Sequence, residues 1–256
     1  MKKKILFFLL LVIVTTSEVF SQQQPGGTTP LPLPSIGVNV GTSDNPKELA
    51  VTLQLLILLT VLSVAPSILL MTTSYLRIII TLHFLRNALG TMTMPPNQLL
   101  AGIALFVTFF IMAPTWNKVA NEAFTPMMNN EISMDSAYAK GIEPIREFMF
   151  KNAREQEIEF FVSLSQESRP ANRDDLPTHV LIPAFVLSEL RASFIIGFFI
   201  FVPFLVLDMV ISSILMAMGM MMLPPAMISM PFKILLFILV DGWTLTLGSL
   251  IKSFNL

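Results

Sequence analysis

Residues 49–71 read LAVTLQLLILLTVLSVAPSILLM, a run without a charged side chain, interrupted only by Thr52, Gln54, Thr60, Ser63, Ser67 and Pro66. At about 1.5 Å per residue, a helix of this length crosses the roughly 30 Å hydrocarbon layer of a bilayer, so this run is the clearest candidate span. The whole chain agrees: of 256 residues, 54% are hydrophobic and 13% charged, and mean hydropathy is +0.71. Ordinary soluble domains carry about a quarter of their residues as charges. Only helices and closed barrels satisfy their backbone in lipid, and long unbroken apolar runs belong to the former. The expected fold is therefore all-α, built from membrane-associated helical hairpins.

Upstream, Lys2, Lys3 and Lys4 precede an apolar stretch from Ile5 to Val14, and Val19-Phe20-Ser21 offers a cleavage site before Gln22. This is the layout of a signal peptide over 1–21; the alternative, an uncleaved anchor, has only ten apolar residues to work with. Residues 22–48, rich in Pro, Gly, Thr and Ser, read as a flexible extracytoplasmic tail. Cysteine is absent, which excludes disulfides and thiolate metal sites. A net charge of −1 gives no basic excess for nucleic acid.

Downstream, residues 72–98 carry Arg77 and Arg86 without an acid, and the positive-inside rule assigns them to the cytoplasmic side. Residues 99–113 then return outward and bring Trp116 to the interface, completing a set of N-terminal membrane helices over 49–116. Residues 117–178 differ in kind, with seven basic and eleven acidic side chains. They read as a polar extracytoplasmic insert. Ile142, Ile145 and Met149, then Ile158, Phe161 and Leu164, recur at helical spacing, so the insert is expected to form amphipathic helices. Asn172-Arg173-Asp174-Asp175-Leu176 reads as a solvated loop, since it lacks the ligand spacing and turn glycine of a calcium loop.

Residues 179–256 are apolar again, expected as C-terminal membrane hairpins, in runs over 180–207, 209–223 and 226–251. They contain Glu189, Arg191, Asp208, Lys233 and Asp241, together with Pro183, Pro203 and Pro231. Charges at such depth persist only when paired or covered by protein, so these five are expected as structural buried charges. The helices that carry them are expected to meet other subunits more than lipid.

The chain also repeats a device. Ala88-Leu89-Gly90-Thr91-Met92-Thr93-Met94-Pro95-Pro96 aligns with Ala217-Met218-Gly219-Met220-Met221-Met222-Leu223-Pro224-Pro225, sharing Ala, Gly, one Met and both prolines. Gly just past a helix and Pro at the start of the next are helix punctuation, so each copy is expected to join two helices. The second copy carries Met220, Met221 and Met222, whose flexible side chains suit either of two roles: filling irregular gaps between helices, or lining a deformable seal.

Phosphate-binding, zinc-protease and nucleophile-elbow motifs are absent, and no cofactor or enzymatic activity is expected. Broken helices and an internal echo are also features of small-solute transporters, with Asp208, Lys233 and Asp241 as an ion relay. A membrane-anchored receptor acting through 117–178 is a third possibility, one that requires the insert to fold alone.

Six further stretches bear on the choice: Ser74-Tyr75-Leu76-Arg77-Ile78-Ile79, Phe84-Leu85-Arg86-Asn87-Ala88-Leu89-Gly90, Pro183-Ala184-Phe185 with Ser188-Glu189-Leu190, Ile200 through Met209, Met218 through Pro225, and Val240-Asp241-Gly242-Trp243. Together with Met94-Pro95-Pro96-Asn97-Gln98, and in this order, they resemble the FliP family of flagellar type III export-gate proteins. The resemblance implies a homo-oligomer, a pentamer, joined by FliQ-like and FliR-like subunits in a helical, cone-shaped ring whose hairpins are lifted partly out of the bilayer. It implies contact with other membrane proteins of the export apparatus and a place at the flagellar basal body in the bacterial cytoplasmic membrane. Unfolded flagellar proteins would pass through a pore gated by the turn holding Gly219, Met220, Met221 and Met222. The equivalent subunit of virulence type III secretion is the sister reading; the signal peptide and the insert favour the flagellar branch.

Overall fold

The computed structural model describes residues 46–165, 172, 175–220 and 222–254, and all regular elements among them are helices. The signal peptide and residues 22–45 of the tail lie outside these residues, as does Met221, whereas residues 46–48 of the expected tail begin the first helix. The chain divides into units 1–52 and 53–256, and the second carries the helical core.

Helix α1 (Pro46–Met71) supplies the first candidate span from Leu53 onward, and none of that window is buried. Helix α2 (Tyr75–Leu89) ends at Gly90, and α3 (Asn97–Val119) passes through a π-helical turn (Ala120–Phe124) into the short α4 (Thr125–Met128). Helix α5 (Met134–Asn152) starts where Ser133 Oγ accepts the Ser136 N–H at 3.3 Å, with Asp135 in its first turn, two favourable terms at a helix N-terminus. Helices α6 (Glu155–Leu164), α7 (Thr178–Ala217), α8 (Pro225–Leu239) and α9 (Gly242–Lys252) complete the chain, with α8 and α9 bent by 66° where they meet.

Helix α7 corrects the division into separate apolar runs. It continues for 40 residues through Pro203 and Asp208, because a charge interrupts hydropathy without interrupting backbone hydrogen bonds. At roughly 60 Å it is about twice the hydrocarbon thickness. Its first third is buried on one face, through Val180, Leu181, Ala184, Phe185, Ser188 and Glu189. From Phe194 to Ile214 it presents Phe198, Phe199, Val206 and Met209 outward instead.

The main core joins Ile78 and Leu82 of α2, Leu100, Ile111 and Met112 of α3, Phe148 and Met149 of α5, Leu181 and Phe185 of α7, and Leu250 and Phe254 at the chain's end. The insert's amphipathic face is therefore part of the common core. Ile145, Ile158 and Phe161 pack against it, whereas Leu164 is exposed. A smaller cluster joins Leu85, Ala88 and Leu89 to Phe204 and Phe237.

Helices α2 and α7 run parallel: Arg77 meets Glu189, the Phe84 ring lies 5.2 Å from that of Phe194, and Leu85 packs in one cluster with Phe204. Gly197 permits this approach, since a Cβ there would stand 2.5 Å from Phe84 Cδ2. Both hairpin turns consequently point toward one end, the second about ten residues, or roughly 15 Å, further along α7. The start of α2 lies at the other end with the insert, where the Arg154 N–H bonds Ser188 Oγ at 3.0 Å. Arg77 and Arg86 sit near opposite ends of this helix, and Arg77 is neutralised by a carboxylate.

Candidate functional site

The methionine-rich turn is closed by its backbone. The Met220 N–H bonds the Leu215 carbonyl and the Gly219 N–H bonds that of Met216, both at 3.0 Å, the paired bonds of a Schellman helix end. Gly219 takes φ +75°, which a side chain adopts only under strain, and the space around it is open for 4 Å. Pro224 then precedes α8 and Pro225 opens it. Met222 is 98% exposed, and Met216 and Met218 are also exposed. Within one chain Met222 fills no gap.

The first turn has the same plan, with Gly90 at φ +78° and its N–H bonded to the Asn87 carbonyl at 3.0 Å. It is braced by Arg86. One guanidinium nitrogen donates to the Pro95 carbonyl at 3.2 Å and to Asn97 Oδ1 at 2.7 Å, and the other donates to His83 Nδ1 at 3.0 Å. A neutral His83 ring accepts that bond at Nδ1. Met92, at φ +49°, is thrust outward from this turn.

One ion pair fastens α2 to α7 near the start of α2, and a second, between α8 and α7, also reaches the end of α2. Arg77 grips Glu189 with Nε at 2.8 Å from Oε2 and Nη2 on Oε1, and its Nη1 donates to the Ser253 carbonyl at 2.8 Å. Its guanidinium also covers the Phe254 ring at 3.9 Å. A fully buried carboxylate is thus met by a fork of donors, and the same arginine anchors the end of α9. Near the turns, Lys233 Nζ donates to Asp208 Oδ2 at 2.7 Å and to the Ala88 carbonyl at 3.2 Å, while the Ser229 hydroxyl donates to Asp208 Oδ1 at 2.6 Å. Lysine charge at a helix C-terminus complements its partial negative charge.

The five expected charges therefore fall into different environments. Glu189 and Lys233 are buried, and Asp208 is half-buried beside its lysine. Arg191 is exposed at the insert end, 3.1 Å from the buried Glu157, because that end of α7 is covered on one side by α6. Asp241 is exposed at the α8–α9 bend, at φ +50°, and does not cap α9 with its side chain. Burial of all five does not hold in the single chain. Sequence reading did not assign roles to Arg77, Arg86, Ser229 or Glu157; the lone cations inside apolar stretches were the available signal for the first two. Among the described residues no group of three potential metal ligands occurs. A groove of about 250 Å³ between α3 and α5 holds Glu147 between Lys118 and Lys151, which lower its pKa through hydrogen bonds.

Known proteins carry the same pattern. The FliP family model matches residues 58–250. The flagellar biosynthetic protein FliP of Bacillus subtilis is 54% identical over 217 residues, covering 85% of this chain and 98% of that protein. The proteins of that name from Borreliella burgdorferi and Treponema denticola are 51% and 45% identical, over 81% and 87% of this chain and 83% of each of theirs. The motifs, the helical hairpins and these similarities agree: the chain belongs to the FliP family, whose members are components of the flagellar export apparatus.

Proposed function

We propose that this protein is a pore-forming core subunit of the flagellar protein-export gate, acting as a conduit and not as an enzyme. The observation that carries the reading is the turn after α7: a closed backbone loop offering Met218 and Met222, which its own chain leaves uncovered. Copies arranged around an axis, a pentamer together with FliQ-like and FliR-like subunits, would bring these side chains together. Apolar, unbranched side chains exclude water and ions from a constriction yet deform around a passing chain. Exposed apolar surface along α1 and the later part of α7 supports burial against neighbouring subunits or lipid. A carrier role has less support, since Asp208 and Lys233 engage each other, a serine and a helix end.

The insert is assigned to the extracytoplasmic side, together with the Thr72 to Arg77 corner that shares its end. The absence of native cysteine makes both assignments testable. A Met222→Cys variant in assembled complexes is expected to cross-link to an export substrate stalled in transit, while Tyr138→Cys in the insert is labelled from outside only. No substrate adduct at Met222, with adducts at other positions of the same complex, overturns the conduit role of this turn. Labelling of the insert from the cytoplasm alone overturns the orientation.

A further inference from the structure

We infer that Asp241 and Arg86 form an ion pair between adjacent copies of this chain. The inference rests on the ring-like assembly proposed above and identifies a contact that would hold it. Asp241 stands at the break between α8 and α9, and no ion pair or hydrogen bond engages its carboxylate among the described residues. Its surroundings are apolar and uncovered: Leu239 is 75% exposed, Leu245 62% and Val240 52%. Such a surface is too apolar to face water and, with a carboxylate at its centre, too charged to face lipid. A cation from another subunit satisfies both conditions. The backbone points the same way, since a non-glycine residue at φ +50° is held in a sparsely populated conformation and such positions gather at functional contacts.

Arg86 is the complementary group within the same sequence. Three of its five N–H donors have acceptors, a carbonyl, an amide oxygen and a histidine nitrogen, and none is a carboxylate. Its Nε is buried without a partner. The buried cations nearby are engaged, Arg77 of α2 by Glu189 and Lys233 of α8 by Asp208. Height selects the pair as well. Phe237 belongs to one cluster with Leu85, which precedes Arg86, and Phe237 also lies against Gly242, which follows Asp241. Both groups therefore border that cluster, yet they do not pair within the chain. In a ring whose copies are related by a rotation and a small rise, a carboxylate and a guanidinium at neighbouring levels on different faces can join head-to-tail neighbours. Arginine suits the role, since its fork retains its existing bonds while accepting a carboxylate.

The test uses two differently tagged full-length copies co-expressed with the remaining gate subunits, one carrying Arg86→Cys and the other Asp241→Cys. Cysteines that replace an arginine and its carboxylate partner stand too far apart for a direct disulfide, so bridging of the two tags by a short bifunctional maleimide is expected in purified complexes. Because either change also removes a charge, the exchanged pair is measured in parallel. Asp241→Arg and Arg86→Asp are each expected to lower the yield of assembled ring about tenfold or more, and the double exchange is expected to restore most of it. Native mass measurement of the unmodified protein separates the two levels: a monomer that never associates overturns the assembly itself. Intact rings with no cross-tag bridge and no rescue overturn the ion pair. A bridge from Asp241→Cys to a different gate subunit also overturns it and assigns the carboxylate to that partner.

Discussion

The two hairpin turns begin from one sequence device and end in different mechanical states. Each closes a helix with a left-handed glycine and restarts the chain on a proline pair, at Gly90 with Pro95-Pro96 and at Gly219 with Pro224-Pro225. Around the first, Arg86 reaches from inside α2 to the Pro95 carbonyl, Asn97 and His83. Around the second, the bonds belong to the backbone, and Met222 projects with almost its whole surface free. Glycine and proline thus fix the path of a turn. What fixes its stiffness is whether a polar side chain of the preceding helix reaches across it. A braced turn suits a fixed contact between subunits, and an open one suits a seal that must yield.

The comparison is broken most severely by removing what both turns depend on, the docking of α2 on α7. Arg77→Ala leaves Glu189 buried without a countercharge and should destabilise the fold by about 3–5 kcal/mol, read as loss of cellular protein and of a cooperative melt in detergent. Replacing Arg77 and Glu189 together by Leu should recover most of that, because an apolar pair leaves no orphaned charge.

Next in size, Arg86→Ala removes the brace alone. It should cost about 1–3 kcal/mol locally, seen as faster amide exchange over residues 90–96 with exchange over 218–224 unchanged. Equal acceleration of both turns would mean that Arg86 supports the hairpins as a whole. Smaller still, Gly90→Ala and Gly219→Ala should each cost about 1–2 kcal/mol, and by similar amounts. Neither site has an atom within 4 Å of the added Cβ, so the penalty is conformational in both turns.

Much of this architecture was legible in the sequence. Apolar runs marked α1, α3 and α7; glycine and proline marked both turns; and the insert's periodic Ile145, Met149, Ile158 and Phe161 marked a packed face. The failures have a common physical origin. Hydropathy registers a charge such as Asp208 as an interruption, while a helix registers only its hydrogen bonds, so α7 was divided where the backbone is continuous. The partner of Arg77, a carboxylate 112 positions away, leaves no local trace in the sequence. The different stiffness of the turns was equally hidden, because Arg86 looks like any loop cation until its acceptors are placed around it.

The central claim is that the open turn seals a polypeptide pore, and ion conductance of the assembled gate tests it most directly. With Met220, Met221 and Met222 all replaced by Ala, assembly should be retained, since Met222 touches little of its own chain. Shorter apolar side chains should widen the constriction, giving a resting leak of small ions with export at least partly preserved. The corresponding change at Met92 and Met94 in the braced turn should leave the closed gate tight. Assembled triple-alanine complexes as impermeable as the unmodified protein would contradict the account and leave these methionines as packing material between subunits.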